Sequence, residues 1–361
     1  MEMSKSSFKF ACKSSPFSPS HPDFIILPDD YDDETVVLKP DDHLSQVVLP
    51  STSIPTIDMK IDHGSLVSKI SDACENYGFF QIINHGFSRD LYQQMMDVAT
   101  DFFGLPYEER AKLYSDDPNV SVRIETPRLK LQNQNRVRMW TERLLHPADP
   151  THEDDYIHLL PENPPRYREV AAAYSKEITD LICRLWGLIS EGLGLETNYL
   201  QTRLHGSSKF CQTVNFYPPC PDPELTMGVP VHTDIGVITI LQQVQGVSGL
   251  QVIKDGKWLA VDPLPDAFIV NVADQLEVMS NGRYKSVHHR AVTNQVTSRI
   301  SIITFSRLNN DAIVGPIEDL INEEQPAIYR NYHFEEFLKE FSKQLETRWN
   351  VKQVFQLHPS T

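Results

Sequence analysis

The sequence contains no Cys-x-x-Cys pair, and its five cysteines, Cys12, Cys74, Cys183, Cys211 and Cys220, are odd in number and scattered. That argues against a disulfide framework and fits free thiols in a reducing compartment. No apolar run reaches the roughly 18 residues that suggest a transmembrane helix. The first residues lack the apolar core of a signal peptide, and Asp29, Asp30, Asp32, Asp33 and Glu34 argue against a transit peptide. Positive charge is also short: 33 Lys and Arg stand against 49 Asp and Glu, a net charge of −16. With no basic face to neutralise phosphates, neither a nucleic acid nor an acidic membrane is an expected partner. No repeat at solenoid spacing is found. The expectation is a cytoplasmic protein, monomeric by default.

At 361 residues, 40% hydrophobic and 23% charged, the chain has a globular composition and the length for a large core with an appended lobe. Residues 1–50, rich in Ser, Pro and Asp, are expected to be largely disordered. Ile54-Pro55-Thr56-Ile57-Asp58 begins the ordered chain as an extended segment. A helix over 65–77 puts Leu66, Ile70 and Ala73 on one stripe and ends at Gly78. A buried strand over 79–83 turns at Asn84-His85-Gly86, where His85 reads as a structural hydrogen-bonder. Helices are predicted over 91–103 and from Leu105-Pro106 onward; residues 115–160 are the least regular stretch. A helix over 167–193 repeats Val170, Tyr174, Ile178, Leu181, Leu185 and Leu188 at three- and four-residue spacing. At 1.5 Å per residue it is about 40 Å long, enough to back a sheet.

From about Lys209 the period changes to two. Strands are predicted over 210–217, 232–243, 250–253, 258–261, 267–272, 276–279, 284–292 and 300–306, with Asp255-Gly256 and Asn281-Gly282 as turns. Eight or so short strands on tight turns suggest a double-sheet jelly roll, the double-stranded β-helix. The fold class is therefore α+β: a jelly-roll core, flanking helices and an N-terminal helical/β lobe. A helical tail over 326–348 presents Phe334, Phe337, Leu338 and Phe341 on one face. The expected division is a disordered segment 1–50, a lobe 51–160, a backing helix 161–205, the jelly roll 206–310 and the tail 311–361.

The jelly roll also carries the chemistry. Val231-His232-Thr233-Asp234 places an imidazole and a carboxylate two apart, on one face of a strand. Tyr284 to Val292 reads as another strand and contains His288 and His289; adjacent residues face opposite sides, so one of the two can join the first pair. Two imidazoles and one carboxylate form a non-haem Fe(II) site that leaves positions open for substrates. Arg299 and Ser301 share a face of the next strand, and a guanidinium with a neighbouring hydroxyl can grip a carboxylate. An ordinary ion pair is the other reading of Arg299.

Together with Tyr77 to Gly86 and Asn215-Phe216-Tyr217-Pro218-Pro219-Cys220-Pro221, these motifs make the chain similar to the plant Fe(II)- and 2-oxoglutarate-dependent dioxygenases. That superfamily, with its isopenicillin N synthase-like fold, includes flavonoid, gibberellin and alkaloid oxygenases, and the likeness runs from about residue 54 to 341. The resemblance selects His289, through the pattern Ser-Val-x-His-Arg, and implies His232, Asp234 and His289 as Fe(II) ligands. It implies further that Arg299 and Ser301, assisted by Tyr217 and Asn215, hold the distal carboxylate of 2-oxoglutarate. The expected reaction uses dioxygen, with ascorbate as reductant, to hydroxylate, desaturate or demethylate a small plant specialised metabolite or hormone, releasing succinate and CO2. It requires no catalytic residue beyond the metal centre. Phe305, Gln212 and Trp140 are the candidates for substrate contact, although Phe305 and Trp140 read equally as core residues. Here the chain departs from relatives that follow the tryptophan with Arg or Lys and then Asp, since it has Thr141-Glu142. Two other readings remain: an ascorbate-dependent oxidase of the same fold that does not use 2-oxoglutarate, and a non-catalytic ligand-binding protein on this scaffold. Polar ligands inside a roll are costly without a metal, which argues against the second.

Overall fold

A computed structural model describes residues 48–49, 54–126, 138–343 and 351–357. The disorder expected for the first fifty residues lies outside this range, except at Val48–Leu49, a strand that pairs in parallel with Trp258 and Leu259.

Two sheets form the core. The larger has eight strands among the described residues, in the order Thr56–Asp58, Phe79–Ile83, Phe268–Val272, Ile238–Gln243, Arg299–Leu308, Ser208–Tyr217, Glu142–Pro147 and Arg123–Glu125. The smaller runs Val48–Leu49, Lys257–Ala260, Leu250–Lys254, His289–Ala291 and Val229–His232. Alternation along each strand sends successive side chains to opposite faces. Phe79, Leu241 and Ile269 therefore meet Leu250, Val252 and Leu259 of the smaller sheet. Their neighbours Phe80, Ile240 and Val270 point the other way, into the helical layer. With both faces covered, the Ile238–Gln243 strand is buried along its whole length. This is the double-stranded β-helix with flanking helices.

Two helices of the outer layer start where a side-chain oxygen accepts an otherwise unmet backbone N–H group. Asp62 accepts from Ser65 N ahead of His63–Asn76, and Ser88 from Leu91 N ahead of Arg89–Gly104. The backing helix spans Tyr167–Gly192, 26 residues, and all six positions of its predicted stripe are buried. The Asp255-Gly256 hairpin forms as predicted: both residues have positive φ, 50° and 73°, as a two-residue turn between twisted strands requires.

Four expectations are corrected. The predicted 232–243 strand is two, Val229–His232 and Ile238–Gln243, in different sheets. The chain crosses between them past Gly236, where a Cβ would lie 2.4 Å from Ser306 O. The predicted 276–279 strand is the helix Asp274–Met279; its residues are buried on several sides, so period two and period 3.6 were indistinguishable. In the predicted 284–292 strand only His289–Ala291 pairs. The tail helix spans Phe334–Lys343 rather than 326–348, of which 344–348 lie outside the described residues. In addition, the stretch 115–160 contributes two strands of the large sheet, Arg123–Glu125 and Glu142–Pro147.

Candidate metal centre and co-substrate pocket

His232 closes one strand of the smaller sheet and His289 opens the neighbouring one; they are antiparallel cross-strand partners. Such partners project on the same face, and the two ring centroids stand 4.1 Å apart. Asp234 lies beyond the strand end, yet its Oδ1 is 3.7 Å from His232 Nε2 and 3.8 Å from His289 Nε2. Among the described residues this is the cluster of His, Cys, Asp or Glu able to hold a metal, its ligand atoms all within 4.8 Å of one another.

The surroundings fix the form of each ligand. His232 Nδ1 sits 2.8 Å from Pro230 O and His289 Nδ1 3.3 Å from Val287 O. A carbonyl only accepts, so each ring carries its hydrogen on Nδ1 and presents the Nε2 lone pair to the cluster. Asn271 Nδ2 donates to Asp234 Oδ2 at 2.6 Å, leaving Oδ1 directed at the imidazoles. A further brace joins the two ligand-bearing segments. Thr233 Oγ1 donates to Asp274 Oδ2 (3.1 Å) and Ser286 Oγ donates to Asp274 Oδ1 (2.7 Å). Lys352 Nζ, from the C-terminal segment, lies 3.0 Å from Asp274 Oδ1 and 2.9 Å from Glu277 Oε2. Burial raises the Asp274 carboxyl pKa, which the Lys352 ammonium opposes.

The co-substrate candidates follow from strand register. Arg299 pairs with Tyr217 and Ser301 with Asn215, so all four side chains share the inner face. Arg299 is 2% exposed, and burial lowers its pKa while Tyr217 opposes the shift. Its Nη2 donates to Gln243 Oε1 (2.8 Å) and its guanidinium stands 5.1 Å from the Tyr217 ring centroid. Gly249 leaves room for it, since a Cβ there would be 2.9 Å from Arg299 Cδ. Arg299 Nε, Ser301 Oγ and Asn215 Oδ1 are buried and have no hydrogen-bond partner. Among the described residues no carboxylate pairs with Arg299. A buried guanidinium beside an unpartnered hydroxyl fits an incoming carboxylate.

One cavity between the sheets is lined by His232, Asp234, His289, Asn215, Tyr217, Arg299, Ser301 and Phe305. Gln212 and Trp140 are not among its lining residues. Gln212 has the opposite strand parity, and its Nε2 donates to Thr304 Oγ1 on the outer face. Trp140 is buried at 6% exposure, its backbone N bonded to Met227 O. His288 lies outside the lining as well, and burial lowers its pKa to about 4. His85 stands apart: its Nδ1 accepts from Phe87 N and its Nε2 donates to Asp266 O. Sequence reasoning missed Asn271, Asp274, Gln243, Lys352 and Arg143, the last also lining the cavity. Strand parity could have suggested Asn271; the others depend on contacts between distant segments.

The model of the 2OG-Fe(II) oxygenase superfamily matches residues 208–308, and that of the non-haem dioxygenase in morphine synthesis N-terminal matches residues 54–165. The chain is 42% identical to flavanone 3-dioxygenase 2 of Oryza sativa subsp. japonica over 82% of its own length and 85% of the relative's. It is 41% identical to protein Downy Mildew Resistance 6 of Arabidopsis thaliana, over 80% and 84% respectively. The crystal structure of JOX2 in complex with 2OG, Fe and JA superposes with a TM-score of 0.73 at 31% identity, covering 88% of this chain and 91% of that one.

Proposed function

The chain belongs to the 2OG-Fe(II) oxygenase superfamily and is a 2-oxoglutarate-dependent dioxygenase, and from that membership we propose the residues that carry the reaction and the class of its substrate. His232, Asp234 and His289 hold Fe(II); Arg299 and Ser301, with Tyr217 and Asn215, hold the distal carboxylate of 2-oxoglutarate. Bound together, Fe(II) and 2-oxoglutarate supply the oxidising chemistry, in which dioxygen is consumed, 2-oxoglutarate becomes succinate and CO2, and the substrate is oxidised. The protein's part is to orient and to exclude water. Asn271 and the two backbone carbonyls hold the ligands in their coordinating form, and Leu241, Ile269, Ile303 and Phe305 give the chamber an apolar wall. No protein group transfers a proton in this scheme. The substrate is a small plant specialised metabolite or hormone, by similarity to relatives such as the flavanone 3-dioxygenase. We assign the metal ligands and 2-oxoglutarate contacts to residues 206–310, support together with the cavity wall at Phe79 and Arg143 to the lobe 51–160, support to the backing helix 161–205, and docking on the roll to the helical tail 311–361. The protein is proposed to act as a cytoplasmic monomer; no described helix is long and apolar enough to cross a membrane.

The observation that carries the assignment is buried Arg299, without an anionic partner among the described residues, facing the same cavity as the His-Asp-His cluster. The test is succinate release by Fe(II)-loaded protein given 2-oxoglutarate, ascorbate and a panel of plant metabolites, with His289→Ala as control. Substrate-stimulated succinate that the variant lacks supports the assignment. Bound iron with no succinate under any condition would turn the reading towards an oxidase that does not use 2-oxoglutarate.

A further inference from the structure

A continuous polar row crosses the inner face of the large sheet. Register places Glu125 beside Arg143, Arg143 beside Asn215, Asn215 beside Ser301 and Ser301 beside Gln243. Arg299 is hydrogen-bonded to Gln243 at one end of this row, and Arg143 stands towards the other. Arg143 is two strands from Ser301, or about 10 Å at the usual strand spacing. The row therefore has two cationic stations, and 2-oxoglutarate accounts for the first.

Among the described residues, charge at the second station is not balanced by the groups around it. Glu125 Oε1 accepts from both Arg123 Nε (2.8 Å) and Arg123 Nη2 (2.6 Å). Its Oε2 accepts from Arg143 Nη2 at 2.6 Å. Two guanidinium groups thus share one carboxylate, leaving one positive charge over. Arg143 lines the cavity, and its Nε is buried with no hydrogen-bond partner. Its side chain is 30% exposed, so it lies at the mouth rather than sealed beneath the wall. Between this station and the His-Asp-His cluster, the lining offers Leu241, Ile303 and Phe305.

Resting on the family reading of the cavity, we propose that the oxidised substrate is an amphipathic carboxylic acid, its carboxylate held by Arg143 and its apolar body packed against Leu241, Ile303 and Phe305. The planar guanidinium suits a carboxylate, because its unused N–H groups form a fork that two oxygens can fill. Arg143 is then a specificity-determining residue that fixes which end of the substrate reaches the metal. The polar row keeps the two acids apart, one on Arg299 and the other on Arg143.

The test uses the full chain loaded anaerobically with Fe(II) and 2-oxoglutarate. 2-Oxoglutarate binding is measured first; a protein that fails to bind it sinks the parent reading, and the proposal falls with it for that separate reason. The probes are a series of aromatic and medium-chain aliphatic carboxylic acids, each paired with its methyl ester, titrated by calorimetry. The expected result is that the acids which bind do so about tenfold or more tightly than their esters, the usual scale for a charge-assisted contact. Arg143→Gln is expected to erase that preference and Arg143→Lys to restore part of it. A fold defect would weaken acids and esters alike, so the ratio isolates the charge. Equal binding of acids and esters, an acid preference that survives Arg143→Gln, or no acid binding while 2-oxoglutarate binds would each overturn the proposal.

Discussion

His232 and His289 owe their ligand form to main-chain carbonyls two residues upstream, Pro230 and Val287. Side-chain substitution at those upstream positions leaves the carbonyl in place, whereas removing either imidazole removes a ligand. His232→Ala and His289→Ala are expected to lose Fe(II) at micromolar metal, measured by metal content after gel filtration; full retention by either would remove it from the ligand set. Asn271 acts at one remove, holding Asp234 Oδ2. Asn271→Ala should weaken metal binding about 10- to 100-fold, the range seen for such supporting partners. Arg299 lies at the opposite wall. Arg299→Gln keeps hydrogen-bonding capacity but loses the charge and the fork, so 2-oxoglutarate affinity should fall roughly 10- to 100-fold in a direct titration, with metal affinity unchanged. An unaltered affinity would assign the carboxylate elsewhere.

At the scale of elements, the C-terminal segment Val351–Phe355 is fastened to the metal-bearing loops through one ammonium. Lys352 meets Asp274, which accepts from Thr233 and Ser286, and so reaches the segments before both Asp234 and His289. Asp274 is 2% exposed, and a carboxylate left there without its cation is uncompensated. Lys352→Met should therefore destabilise the fold by about 3–5 kcal/mol, the scale for breaking a buried pair from one side. Equilibrium urea unfolding reads this directly, and an unchanged midpoint would show the contact to be idle. The sequence offered no sign of it, because the two partners lie 78 residues apart on elements whose docking no local pattern encodes.

For the molecule as a whole, acid is the condition that tests the buried helical layer. His146 is 2% exposed, and burial lowers its pKa from 6.5 to about 4 despite its hydrogen bond to Pro147 O. The sign follows from which state takes up protons. Between pH 6.5 and 4 the unfolded chain binds a proton at this residue while the folded one does not, so stability is intact above 6.5 and is lost as pH falls to about 4. The loss is on the order of 3 kcal/mol at full extent. His146→Gln should flatten that part of the stability–pH curve without changing the slope above pH 7. An identical curve for the two proteins would place the acid sensitivity elsewhere.

Strand and helix periods determined most of the architecture in advance: the 26-residue backing helix, the Asp-Gly hairpin and the pairing of Arg299 and Ser301 on one face are all local consequences of residue order. The spacing His232-x-Asp234 named two members of the cluster that the fold brings together and left His288 and His289 as alternatives for the third, between which the family resemblance chose His289. Tertiary structure decided the rest. The helix at Asp274–Met279 has no period to betray it, because burial on several sides removes the polar face by which a helix is recognised. The strand Glu142–Pro147 joins the sheet next to Ser208–Tyr217, and only that pairing carries Arg143 to the cavity. A strand's own residues fix which side chains share a face; which face meets the cavity is set by the neighbour it hydrogen-bonds, and that neighbour is distant in sequence.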